Sequence, residues 1–196
     1  MTESREALTW TLKSERPDPA GYLTVRRRTY VQPDGKDSDW DILDGAPTVA
    51  LVAFTEEGRG ILVRQYRPGP GKVLAELPGG MIEPGEDVRH AAARELLEET
   101  GYRAGTTHVV MRTYLASYAT HVRYAVLATG CRKVAEPTPD AEEFVEPFTL
   151  DVDAYTEHLL GGEYTDTDVG LAGLVAAGVL VRSPGPPPSA VRGVTG

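Results

Sequence analysis

The sequence contains one cysteine, Cys131. A single thiol excludes an intrachain disulfide and a cysteine-based zinc cluster. Long hydrophobic runs are also missing. The longest, "VGLAGLVAAGVLV" (Val169–Val181), is too short to cross a bilayer and reads as a buried helix. Positive charge is scarce. With 20 Lys and Arg against 29 Asp and Glu, the formal net charge is −9, which disfavours non-specific binding to nucleic acid or to an anionic membrane. Phosphate ligands remain compatible with that charge if metal cations mediate the contact. The polar start "MTESREALTW" lacks a signal-peptide pattern, so a cytoplasmic protein is the expectation. No internal repeat is visible, and 196 residues suit one domain with at most a small appendage.

What is present is a run of strand signals interrupted by three helical patterns. Leu8–Leu43 reads as strands, with "PDG" (Pro33–Gly35) as a turn between "GYLTVRRRTYVQ" and "SDWDIL". The basic run Arg26–Arg28 is either a charged, solvated strand edge or a ligand-facing group. "TVALVAF" (Thr48–Phe54) and "GILVRQY" (Gly60–Tyr66) flank "TEEGR" as a hairpin of buried strands. A short strand "VLAELPGG" ends at Pro78 and two glycines, and "LPGGMIEPGE" reads as a loop. "THVVMRTYLAS", "THVRYAVLATGC" and "FVEPFTL" are further strands. "DVDAYTEHLLGG" is a helix capped by Asp151 or Asp153 and ended by Gly161. The tail "RSPGPPPSAVRGVTG" has no core-forming pattern and reads as disordered. Many strands and three helices without regular βαβ alternation predict an α+β or mixed-sheet fold.

The chemistry concentrates in Asp87–Thr100. On a helical wheel Glu95 and Glu99 stack one turn apart, Glu98 lies on the neighbouring flank, and the three carboxylates share an arc of about 100°. Such like charges weaken a bare helix. Hard oxygen ligands converging in this way suit Mg²⁺ or Mn²⁺, and no His or Cys accompanies them. Arg94 precedes Glu98 by four residues and can pair with it. Val88, Ala92 and Leu96 form the opposite face, with Ala91 near the boundary, and can pack on a sheet. The preceding glycine-rich loop delivers Glu86 and exposed backbone groups to the start of the helix. Gly101 is the C-terminal stop.

Gly80, Glu86, Arg94-Glu95-Leu96, Glu98-Glu99 and Gly101-Tyr102 match the Nudix box without a gap, so the chain resembles the Nudix hydrolase superfamily. The resemblance implies an α/β/α sandwich with a mixed central sheet. It also implies divalent-metal hydrolysis of a nucleoside diphosphate linked to another group, with Mg²⁺ or Mn²⁺ as cofactor. Carried over by position, Glu95 and Glu99 would be principal metal ligands. Glu98 would be a third ligand or a support through bound water, sharing in catalysis. The carbonyl of Gly79 is a further candidate ligand. Gly80, Glu86, Arg94 and Gly101 would fix the geometry of the loop and helix.

Outside the box, from about Leu23 to Val181, the chain is similar to the ADP-ribose pyrophosphatase and nucleotide-sugar hydrolase branch. That likeness implies three parts. Residues 1–45 would be an N-terminal β subdomain swapped in a homodimer, 46–182 the hydrolase domain and 183–196 the proline-rich tail. It implies a nucleotide-type small molecule as the partner; the net charge and the short apolar runs argue against nucleic acid and membrane. Arg67 would meet the ligand phosphates. Trp40 would stack on the nucleobase or else pack in the dimer or hairpin. Glu76 would line the site or form an ion pair. The general base would come from "PDAEEFVE": Glu143 first, Glu142 second. One departure concerns the substrate. Relatives carry a Ser-Pro-Gly turn where this chain has Ser117-Tyr118-Ala119. Tyr118, His121 and Arg123 would then line a differently shaped terminal-group pocket, and His121 reads as a loop or strand residue rather than a catalyst.

Overall fold

Strand β3 (Thr48–Thr55) organises the molecule, because it pairs with three other strands of the main sheet. A computed structural model describes residues 23–140 and 143–180. The tail 183–196, the first part of the N-terminal segment and Glu142 lie outside the described residues. On one side β3 pairs in parallel with β9 (Val122–Lys133). On the other it meets β4 (Gly60–Arg67) only at Ala53↔Ile61 and Phe54↔Gly60, and then turns away. The vacated edges are taken by two short strands. β5 (Lys72–Glu76) pairs with β4, and β6 (Gly79–Met81) pairs with β3. Thus Gly79–Met81, expected as loop, is a strand, and Leu77–Pro78 bridges the split. β10 (Val145–Leu150) continues the sheet beyond β4, while β7 (Tyr102–Arg103) and β8 (Thr106–Tyr114) flank β9.

The two faces of β3 follow strand alternation. Val49, Leu51 and Ala53 pack against Ala91, Ala92 and Leu96 of helix α1 (Val88–Thr100). Ala50, Val52 and Phe54 pack against helices α2 (Val152–Gly161) and α3 (Thr167–Ala176), through Tyr155, Leu159, Val169 and Leu174. Helices on both faces of a mixed sheet give the expected α/β/α sandwich. Asp87 caps α1 by accepting the Arg89 amide at 2.9 Å, and Gly101 ends it at φ 72°, donating to Leu97 O. Asp151, not Asp153, caps α2 through the Ala154 amide at 2.9 Å, and Gly162, one residue beyond the expected Gly161, takes the left-handed position.

The apolar run after Asp168 departs most from expectation. α3 stops at Ala176, and Gly178 at φ 72° turns the chain so that Val179 N donates back to Leu174 O. Val175 remains 61% exposed, so the run is a half-buried helix and a turn. Among the described residues no helix is long and apolar enough to cross a membrane.

β1 (Thr24–Val31) and β2 (Asp37–Asp44) form a separate two-stranded hairpin. Gly35 at φ 85° makes its turn. The basic run is answered across the strands: Arg26 binds Asp44 at 2.6 Å and Arg27 approaches Asp41 at 3.4 Å. These exposed pairs contribute little stability individually, and Arg26–Arg28 are not among the described residues that line the cleft between β3 and β4.

Gly173 is where α3 reaches β3, since a Cβ there would collide with the Val52 side chain. Gly173→Ala should therefore lower stability by about 1–3 kcal/mol, outweighing the roughly 1 kcal/mol that alanine gains in a helix. Gly161→Ala, which meets nothing within 4 Å, should be neutral or mildly stabilising. Urea unfolding of both variants checks this contrast.

Candidate active site

The parting of β3 and β4 opens a cleft of about 580 Å³. Gly79 and Gly80 of β6, Glu95, Glu98 and Glu99 of α1, Arg67 of β4 and Glu143 all line it. The box helix thus presents its carboxylates to the cleft while its apolar face packs on the sheet. Glu95 and Glu99 are nevertheless almost covered, at 7% and 2% exposure.

Two glycines make that burial possible. A Cβ on Gly80 would lie 2.5 Å from Glu95 Oε1, so any side chain there would push this carboxylate from its place. A Cβ on Gly79 would run into the Val49 carbonyl. The bare Gly79 backbone instead donates its N–H to Glu99 Oε2 at 2.8 Å. Burial pushes the Glu99 carboxyl up to about 8, with Glu95 and Glu143 adding to the rise and the Gly79 amide and Arg67 opposing it. Burial also raises Glu95, against the pull of Arg94.

Arg94 holds the rest of the box together. Its Nε and Nη2 grip Glu86 Oε1 and Oε2, each at 3.1 Å, and Nη2 also donates to Met81 O at 3.0 Å. Its Nη1 bridges Glu95 Oε1 at 2.9 Å and Glu98 Oε2 at 3.0 Å. Hydrogen bonding from Arg94 keeps Glu86 below the usual carboxylate range, and Glu86 Oε2 accepts the Glu83 amide at 3.0 Å. With Arg94 Nη1 between two of the glutamates, no three acidic or His side chains among the described residues converge on one point as a ready cage. The donor set still suits a hard divalent cation: every candidate ligand is oxygen, Arg94 is shared among Glu86, Glu95 and Glu98, and the buried Glu99 has no direct ion pair among its described contacts.

Arg67 reaches the cleft, but Glu76 does not line it. Glu76 is wholly buried behind Arg67, 3.4 Å from its Nε. Its other oxygen accepts the Thr165 amide at 3.1 Å and the Thr165 hydroxyl at 2.8 Å. Of the two roles open to this strand carboxylate in sequence, the structure shows the ion pair and not the lining of the cleft. Glu143 enters from the loop before β10, its amide bonded to Asp140 O at 2.9 Å. Its charge is felt by both Glu95 and Glu99.

Two expected binding residues stay away from this cleft within one chain. Trp40 lies on the hairpin opposite Arg28, 53% exposed. Tyr118 is 56% exposed, and its carbonyl accepts the Leu43 amide at 2.8 Å. Together with Thr120, which bonds Leu43 O and Asp44, the Ser117–Ala119 turn docks β2 onto the main sheet. Its backbone, rather than the Tyr118 ring, is what the turn contributes. His121 and Arg123, two and four positions beyond Ala119, do line the cleft. So do Asp140, from the acidic loop "PDAEEFVE", and Thr48, Thr165 and Asp166, which carry no signal in sequence.

The Glu99 shift has a consequence for stability. In metal-free protein the folded state holds a proton on Glu99 that the unfolded chain releases above its ordinary value near 4.5. Folding stability should therefore fall as pH rises from about 5 through 8. Glu99→Gln should flatten part of that slope, melting several degrees above wild type at pH 8 and close to it at pH 5. Thermal unfolding in EDTA measures this; equal slopes would contradict it.

Comparison with known proteins meets this geometry. The chain is 35% identical over 116 residues to an ADP-ribose pyrophosphatase of Bacillus subtilis, covering 58% of this chain and 63% of that protein's length. It is 34% identical to the methanol dehydrogenase activator of Bacillus methanolicus over 76% of this chain and 82% of the relative. A crystal structure of an ADP compounds hydrolase superposes with a TM-score of 0.70 at 21% identity, over 85% of this chain and 90% of that one, a likeness of fold. The model for the NUDIX domain matches residues 44–165, which hold both the box helix and the cleft, and the chain belongs to that family.

Proposed function

We propose that the chain is a metal-dependent pyrophosphohydrolase that cleaves the diphosphate of ADP-ribose or a related nucleoside diphosphate sugar. The products would be a nucleoside monophosphate and a sugar phosphate. The observation that carries this reading is the meeting, in one cleft, of buried box carboxylates, a guanidinium and a separate acidic loop residue. The names of relatives such as the Bacillus subtilis pyrophosphatase support the same reading.

Glu95, Glu98 and Glu99, with the carbonyl of Gly79, would hold Mg²⁺ or Mn²⁺. Bound there, the cation supplies charge neutralisation and a more acidic water. The protein's own residues do the rest. Arg67 offers its guanidinium to diphosphate oxygens, and Glu76, anchored by Thr165, holds Arg67 in place. The Glu143 carboxylate takes the proton of the water that attacks phosphorus, as the bridging P–O bond breaks towards the leaving phosphate. Glu142 is the second candidate for that base. Arg94 and Glu86 keep loop and helix in register.

A second reading, a Nudix hydrolase of another nucleotide or of a specialised-metabolite diphosphate, is favoured by Tyr118-Ala119 replacing proline and glycine. A third reading, a non-catalytic ligand sensor, would bind nucleotide without turning it over; one relative is named as an activator of methanol dehydrogenase. We also propose a homodimer. The hairpin exposes Leu23, Val25, Val31 and Trp40, and two strands alone are marginally stable in water. A second copy would cover them and give Trp40 an interface or a nucleobase to pack on. Light scattering should report twice the chain mass; a monomer at micromolar concentration would remove this part of the reading.

A panel of diphosphate substrates with Mg²⁺ and Mn²⁺ tests the function. ADP-ribose or a nucleotide sugar should release monophosphate. Glu99→Gln should cut turnover by at least about 10²-fold with the fold intact, and Glu143→Gln by about 10²–10⁴-fold. Release of no monophosphate from any member, or binding without turnover, would overturn the hydrolase assignment.

A further inference from the structure

The cleft is not confined to the box side of the sheet. Because β3 and β4 separate, it continues to the face that carries α2 and α3. Thr48 of β3, His121 before β9, and Thr165 and Asp166 before α3 line it there. The Thr48 hydroxyl lies 2.9 Å from His121 Nε2. Arg123, from β9, is gripped by two carboxylates: Nη1 meets Asp166 Oδ1 at 2.7 Å and Nη2 meets Asp168 Oδ2 at 2.5 Å.

The charge balance here differs from that around Arg67. One guanidinium faces two carboxylates, and both of the arginine's terminal nitrogens are engaged. Burial, and then the Arg123 charge, lower the His121 pKa, which favours a neutral imidazole at pH 7. Among the described residues, this wall therefore offers the Thr48 hydroxyl, an imidazole and a carboxylate, and both terminal nitrogens of its Arg123 already sit on carboxylates. Such a surface reads hydroxyl groups by hydrogen bonding. A phosphate placed here would meet Asp166 and Asp168 without compensation.

We propose that Thr48, His121 and Asp166 form a specificity-determining subsite for an uncharged polyhydroxyl group, a sugar carried on the far phosphate of the diphosphate. Arg123 is a positioning residue that acts by holding Asp166. The proposal rests on the hydrolase reading above, and adds which residues select the sugar end.

Calorimetric titration of the full chain with two ligand pairs tests it: ADP-ribose against ADP, and UDP-glucose against UDP. Ca²⁺ replaces Mg²⁺ to slow turnover. The sugar should improve affinity about tenfold in at least one pair, the scale of one or two added hydrogen bonds. His121→Ala and Thr48→Val leave both Arg123 ion pairs in place. Each should remove most of that gain while changing the affinity for ADP or UDP less than about twofold. Asp166→Asn should act in the same direction, and its melting temperature shows whether the fold survives. Nucleotides that bind with no gain from the sugar, or variants that weaken both members of a pair equally, would overturn the subsite alone. Failure of all four ligands to bind would overturn the hydrolase reading as well.

Discussion

The site depends on one guanidinium. Arg94 faces five oxygens: both of Glu86, the carbonyl of Met81, and one each from Glu95 and Glu98. These are charge-assisted bonds at a half-buried position, where each contributes more than an exposed ion pair. They join the loop after β6 to the middle of α1, so the glycine-lined floor and the carboxylate wall hold a fixed spacing. A lysine could not replace it, because the grip on Glu86 is a two-pronged fork and the remaining nitrogen must reach the helix at the same time. Arg94 also gives Glu95 and Glu98 a counter-charge in this conformation. Glu99 lacks a direct one and raises its proton affinity instead.

The second constraint is the split sheet. A continuous β3–β4 ladder would close the molecule where the cleft now lies. Pairing stops after two residue pairs, and β5 and β6 satisfy the strand edges that would otherwise be left open. The substitutions that would be least tolerated follow from this geometry rather than from charge. Gly80 exists to admit Glu95, and Gly79 to let β6 approach β3 closely. Fold and chemistry meet in these two residues, since the same missing side chains that allow the strand pairing also leave room for the carboxylates.

Local features were readable in the sequence. The α1 boundaries, its Gly101 stop and the shared arc of Glu95, Glu98 and Glu99 rest on helical periodicity and capping, which act within a few residues. Gly80 and Glu86 were readable through the resemblance to the Nudix box, which sets their distance from the helix. What was not legible depends on distant contacts. The partner of Glu76 is Thr165, 89 positions away, and nothing near either residue announces it. Tyr118 drew attention as a departure from its relatives, yet its backbone docks the β1–β2 hairpin while its ring stays exposed. Trp40 could not be assigned from one chain, because its hairpin stands apart from the cleft. The length of α3 was overread because an apolar run without periodicity does not show where a helix stops. Gly178 supplies that stop through a backbone angle.

On the proposed function, Glu95 and Glu99 are buried at a cost that a divalent cation would offset. Thermal unfolding with and without Mg²⁺, at pH 6 and pH 8, tests it most directly. Mg²⁺ should raise the melting temperature of wild type, and more at pH 8 than at pH 6, because the cation competes with the proton on Glu99. The shift should be largely absent in Glu99→Gln. No stabilisation by Mg²⁺ at either pH, or an equal shift in the variant, would contradict it.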